Sequence, residues 1–224
     1  MGSGVKFTVQ NLTIANGNAQ TGGGGIASWG SLTVTNSTFS GNSAGDGGGG
    51  GISNVGATVT VTNTILANST SGRNCSGTIT DGGHNIDDGT TCGFSAANGS
   101  LNDTTPKLAA GLAKNGGPIQ TIALLAGSPA INAGDESVCS AAPVNNLDQR
   151  GYVRPGTGYT NCFIGAYEAD ATAGKTCVGD CNSDGQVTID ELITLVNTRK
   201  RQEDRRGSIR RGAGHQSPSR ARLN

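Results

Sequence analysis

Aromatic residues make up only 4% of this 224-residue chain, with one Trp, three Tyr and four Phe. That leaves too little ring area for an ordinary compact core. No apolar run reaches the roughly 18 residues that a membrane span requires. Histidine is almost absent: His84 and His215 both lie far from any cysteine pair, and no Cys-x-x-Cys occurs. A zinc centre therefore has no ligand set, and a Ser/His/Asp hydrolase has no support. No leader is visible either. Met1-Gly2-Ser3-Gly4 runs directly into a strand-like stretch, so the chain reads as the interior of a larger protein whose signal peptide lies elsewhere.

Glycine, by contrast, is abundant at 38 residues, and it is patterned. Phe7-Thr-Val-Gln-Asn11 recurs as Leu32-Thr-Val-Thr-Asn36 and as Val59-Thr-Val-Thr-Asn63, at offsets of 25 and 27 residues. Ile14, Phe39 and Leu66 keep the same register, and Gly22–Ile26 and Gly47–Ile52 fall between the copies. Alternation of apolar and small polar residues indicates strands. A period near 26 without a helical pattern suits one rung of a parallel β-helix, in which stacking supplies the core that no single rung can build. Asn11, Asn36 and Asn63 are expected to form a hydrogen-bonded ladder at one corner, with the glycine runs at the turns. Gly77-Thr-Ile-Thr80 and Ile119–Leu125 read as further strands, and 97–107 as a loop.

The strongest chemical signal is Asp180-Cys-Asn182-Ser-Asp184-Gly185-Gln186-Val187-Thr188-Ile-Asp-Glu191. It matches the twelve-residue EF-hand loop at every position that carries chemistry. Asp180, Asn182 and Asp184 supply side-chain oxygens, and Gln186 supplies a carbonyl. Thr188 ligates directly or through water, and Glu191 with both oxygens. Ca²⁺ is the expected cofactor. An Asx-rich helix cap would not need the terminal Glu.

Six cysteines at 75, 92, 139, 162, 177 and 181 suggest disulfides and an oxidising compartment. The local pairs 75–92, 139–162 and 177–181 are the simplest of fifteen connectivities. Charge is uneven. Residues 1–198 carry seven basic and 14 acidic side chains, whereas 199–224 carry nine and two. The basic tail reads as disordered, and its abrupt composition as an altered or out-of-frame C-terminus rather than a nucleic-acid-binding patch.

Four motifs add a resemblance. Asn115-Gly-Gly-Pro118, Gly127-Ser-Pro-Ala-Ile-Asn-Ala-Gly-Asp135, Asp148-Gln-Arg-Gly151 and Cys162-Phe-Ile-Gly-Ala-Tyr-Glu168 are similar to the end of bacterial right-handed β-helix proteins of the choice-of-anchor Q type. The resemblance covers about residues 5–170 and departs from the family pattern at Phe163, where an Asp is expected. It implies an all-β, pectin-lyase-like right-handed parallel β-helix, secreted or displayed on a bacterial cell surface, with no settled activity. Residues 177–198 resemble half of a dockerin, which has two loops, so a cohesin partner is not expected.

The organisation is then solenoid rungs over 1–96, terminal rungs and cap over 97–168, a linker over 169–176, the calcium loop and helix over 177–198, and the tail over 199–224. The expected function is structural, with a wall that contacts a polysaccharide or another cell-surface ligand. The alternative is an extracellular polysaccharide lyase or glycoside hydrolase whose catalytic rungs lie upstream. Asp87 and Asp88 are the best local acids for such chemistry, but an Asp-Asp-Gly sequence reads first as a solvated turn. Asp135, Asp148, Arg150 and Glu168 read as a structural network in the cap. Trp29 and Tyr167 are candidates for stacking on sugars, with Trp29 more simply packed over the wall.

Overall fold

The computed structural model describes residues 4–45 and 47–173. They form a mostly β parallel solenoid of about three turns, with one short 3-10 helix and one short α-helix. The first turn contains β1 (Lys6–Gln10), β2 (Thr13–Ala15), β3 (Asn18–Ala19) and β4 (Ile26–Ser28). The second contains β5 (Ser31–Thr35), β6 (Thr38–Ser40), β7 (Ser43–Ala44) and β8 (Gly49–Asn54). The third has β9 (Val59–Thr62), β10 (Ile65–Ala67) and β11 (Arg73–Ser76), and β12 (Thr80–Asp81) with β13 (Ile86–Asp87) opens a fourth. Every pairing between these strands is parallel, giving one wall of β1-β5-β9-β12, a second of β2-β6-β10-β13, a third of β4-β8-β11 and a short β3-β7 pair.

The sequence repeat becomes the pairing register. Phe7 stands beside Leu32 and Leu32 beside Val59, while Ile14, Phe39 and Leu66 align in the second wall. Since side chains alternate across a strand, these positions point inward. Val9, Leu32, Val34, Phe39, Ile52, Val59, Val61 and Leu66 form the lumen core. Phe7 is 49% exposed, because β1 is the edge strand of its wall.

The glycine runs turn the chain only in part. Gly49–Gly51 lie within β8 and are buried. They are needed for close approach: a Cβ on Gly25 would fall 2.6 Å from the Gly51 carbonyl oxygen and 3.0 Å from Phe39. Positive φ in the runs is confined to Gly22 and Gly47.

The first corner differs from the expected asparagine ladder. Asn11, Asn36 and Asn63 share positive φ with His84 and Gly99 at the equivalent positions, but none of these three amides bonds another. The ladder sits one residue later. Leu12 N donates to Ser37 Oγ (3.4 Å), Ser37 N to Thr64 Oγ1 (3.3 Å), Thr64 N to Asn85 Oδ1 (2.9 Å) and Asn85 N to Ser100 Oγ (2.9 Å). A side-chain oxygen on each turn thus satisfies the N–H of the turn before it.

The later segment closes the solenoid in two ways. Cys92 and Phe94 enter the lumen cluster and plug its end, tied by the Cys75–Cys92 disulfide. Residues after 104 instead run back along the outside of the β2-β6-β10-β13 wall. Ile65, Ala67 and Ile86 point outward there and are buried beneath Leu124, Ala130, Phe163 and Ile164. Ala166 N donates to Thr38 Oγ1 (3.0 Å), and Thr13 Oγ1 to Gln149 Oε1 (2.5 Å), so the cover reaches the first turn. Gly165 has φ +100°, and a Cβ there would meet Thr38 Oγ1 at 2.7 Å.

Residues 119–125 do not add a rung. They bridge antiparallel to 108–113 through Ala113–Thr121 and Leu108–Leu124, because the second wall is already sheathed by this segment. A helix, α1 (Glu136–Ser140), is N-capped by Asp135, whose carboxylate accepts from Ser137 N. The expected pairs 75–92 and 139–162 are both formed. The third pair, 177–181, lies outside the described residues.

Candidate functional site

The calcium-loop residues Asp180, Asn182, Asp184, Gln186, Thr188 and Glu191 also lie outside the described residues, as does the basic tail. Among the described residues, no three His, Cys, Asp or Glu side chains gather closely enough to hold a metal ion.

Asp87 is not the solvated turn residue that its sequence suggests. It stands opposite Leu66 in the inward column of the second wall and is fully buried. A carboxylate is tolerated there because the turn that follows folds its donors onto it. Asp87 accepts from Asn74 Nδ2 (2.6 Å), Gly89 N (2.9 Å) and Cys92 N (2.8 Å). These bonds replace the hydration that burial removes. The residue therefore ends the apolar column and anchors the loop that carries Cys92 into the lumen.

Asp88 turns the other way but reaches the same amide. Asn74 Nδ2 donates to Asp88 Oδ1 (2.5 Å) and also faces the Leu66 carbonyl (3.2 Å), while Asp88 Oδ2 accepts from Asn68 N (2.7 Å). The two acids are joined through Asn74, with Asp88 alone at the surface. It borders a shallow dent of about 300 Å³, lined by Asn68, Ser69, Arg73, Asn74, Asp88 and Thr91. The dent has one carboxylate at its surface and no second exposed acid to complete a general acid/base pair.

Asp81 was not singled out by the sequence, yet it joins three segments. Its carboxylate accepts from Ser95 N (2.8 Å), Ser100 Oγ (2.8 Å), Asn85 Nδ2 (2.8 Å) and Gly83 N (3.0 Å). Partial burial pushes its pKa up, but these hydrogen bonds outweigh it and hold the carboxyl below its ordinary value. The readable signal was an acid at a rung position directly before Gly82-Gly83.

The cap network is structural, with one member exchanged. Asp148 and Arg150 form an ion pair at 2.7 Å, and Arg150 is stacked between Tyr152 and Tyr167. Tyr167 is therefore occupied by a guanidinium rather than presented to a sugar. Glu168 pairs with Arg154 at 3.1 Å, both side chains wholly buried, and accepts from Gly156 N and Phe163 N. Arg154 also donates to the carbonyls of Leu147, Phe163 and Gly165. Burial pushes the Glu168 pKa up against the pull of Arg154, and draws that of Arg154 down against Glu168 and Asp148. Asp135 takes no part in this network. Its pKa is lowered first by the Ser137 hydroxyl, as befits a helix cap.

Phe163 fits this arrangement as an apolar residue. Its ring is buried edge-on against Tyr159, with centroids 4.7 Å apart, and only its backbone serves Glu168 and Arg154.

Trp29 is neither fully covered nor fully open. It is 47% exposed at the corner between β4 and β5. Comparison of the chain with family models, with curated proteins and with solved structures returned no match.

Proposed function

We propose that this chain is a secreted or cell-surface interaction scaffold, a right-handed solenoid of the choice-of-anchor Q kind. Its wall makes adhesive or glycan contacts, and its loop at Asp180, Asn182, Asp184, Gln186, Thr188 and Glu191 binds Ca²⁺. Right-handed winding is the hand that parallel crossover connections overwhelmingly take. Two disulfides fit an oxidising compartment. No helix among the described residues is long and apolar enough to cross a membrane.

The observation that carries the reading is the commitment of the carboxylates. Asp81, Asp87, Asp148 and Glu168 each accept several hydrogen bonds that hold neighbouring segments together, and the last three are buried. Polysaccharide cleavage calls for acids that reach the substrate, commonly as a pair. Here Asp88 stands alone at the surface dent.

The test is to incubate the full chain with Ca²⁺ and polygalacturonate or xylan, and follow reducing ends and unsaturated-product absorbance. No product is expected. Product formation that disappears in Asp87→Asn or Asp88→Asn, with the fold retained by circular dichroism, would establish the enzyme reading instead.

A further inference from the structure

The walls of the solenoid differ in what they leave open. The β2-β6-β10-β13 wall is sheathed by the later segment, which buries its outward Ile65, Ala67 and Ile86. On the β1-β5-β9-β12 wall the outward side chains are exposed or half-buried.

Those side chains form columns. Thr8, Thr33, Thr60 and Thr80 stand in register across four strands, and Gln10, Thr35 and Thr62 in register beside them. Parallel pairing places neighbours in a column roughly 4.8 Å apart, and the two columns roughly 6.8 Å apart along the strand. Thr8, Thr33 and Thr80 are exposed, and Thr60, Thr35 and Thr62 are half-buried. Lys6, on the edge strand, is the one charged side chain that β1, β5 and β9 contribute to this face.

One border of the face is apolar. Trp29 and Val55 follow the paired residues Ser28 and Asn54 on consecutive turns and are 47% and 43% exposed. Trp29 lies two residues before Ser31, the start of β5. An indole ring left open beside a hydroxyl array offers a stacking surface next to a set of hydrogen-bonding groups.

We infer that this wall, with the Trp29–Val55 corner, binds a neutral polysaccharide lying flat across the threonine columns. The inference rests on the interaction-scaffold reading and names the ligand class for it. Neutrality follows from charge: nucleic acid and acidic glycans are held by clustered cations, and among the described residues this face has only Lys6 at its edge. A polymer follows from shape, since small ligands are held in concave sites and this is an open sheet face. Sugar hydroxyls meet the threonine hydroxyls, and the C–H face of a sugar ring meets Trp29.

The experiment is co-sedimentation of the full chain with insoluble xylan, cellulose and chitin, together with gel retardation in soluble polygalacturonate. Trp29→Ala, the double variant Thr33→Lys/Thr60→Lys and the remote exposed control Thr70→Lys are compared, with thermal melts to verify folding. The expected result is retention on at least one neutral polymer, weakened about tenfold or more by the first two variants and unchanged by Thr70→Lys. Retention unaffected by both wall variants, or no retention on any neutral polymer, overturns the inference. Binding to polygalacturonate alone overturns the neutral class while leaving the scaffold reading in place. Cleavage of any of these polymers removes the scaffold reading itself.

Discussion

Replacing Arg154 with Met leaves a comparable volume but removes the one cation paired with Glu168 among the described residues. The lost contacts are the 3.1 Å ion pair and three hydrogen bonds, to the carbonyls of Leu147, Phe163 and Gly165. Both partners are fully buried, so water cannot replace them without opening the cover. Breaking one side of a buried pair costs about 3–5 kcal/mol, because the other charge is stranded. For a unit of this size, that corresponds to a Tm lower by roughly 6–20 °C. Glu168→Gln should cost a similar amount. It leaves the guanidinium unpaired and turns an amide N–H₂ toward the N–H groups of Phe163 or Gly156. The double variant Arg154→Met/Glu168→Gln should lose clearly less than the two single losses added, since the second change no longer strands a charge. Urea unfolding followed by circular dichroism reads all three. A loss below about 1 kcal/mol for Arg154→Met, or strict additivity in the cycle, would refute the claim that this pair holds the covering segment together.

Two further outcomes follow from the solenoid end. Cys75→Ala/Cys92→Ala opens a loop of sequence separation 17 and should lower stability by about 3 kcal/mol, read by urea unfolding, with partial exposure of the lumen measured by dye binding. Asp81→Asn should lower the Tm at neutral pH. Because the folded pKa lies below the ordinary value, the wild-type advantage is present above the unfolded pKa and disappears as pH falls through the folded one. Melting curves of both proteins taken down through the acid range should converge, and a gap that persists in strong acid would contradict the assigned role.

The solenoid was legible because its physics is periodic. The 25- and 27-residue offsets of Thr-Val-Thr-Asn and Thr-Val-Gln-Asn reappear as the register of β1, β5 and β9. The two local disulfides were legible from spacing. What failed did so where position in the lattice outweighs local composition. Asp-Asp-Gly reads as a surface turn, yet Asp87 falls in the column of Ile14, Phe39 and Leu66 and is buried with its donors. Glycine runs read as turns, yet Gly51 is a strand residue and Gly25 hydrogen-bonds to the Gly50 carbonyl of the next turn, neither with space for a Cβ. The asparagines hold the left-handed corner by conformation, while the residue after each one carries the ladder. Asn63 spends its amide on the backbone of Asp135, 72 residues away, a contact that no local window reveals. Arg154 escaped notice for the same reason, since its partner Glu168 belongs to another loop.

The calcium-loaded scaffold is tested most directly by isothermal titration of Ca²⁺ into the full chain, beside Asp184→Ala. The account predicts saturable binding at one site, abolished in the variant. Absence of heat in the wild-type chain, or binding that survives loss of Asp184, would contradict it.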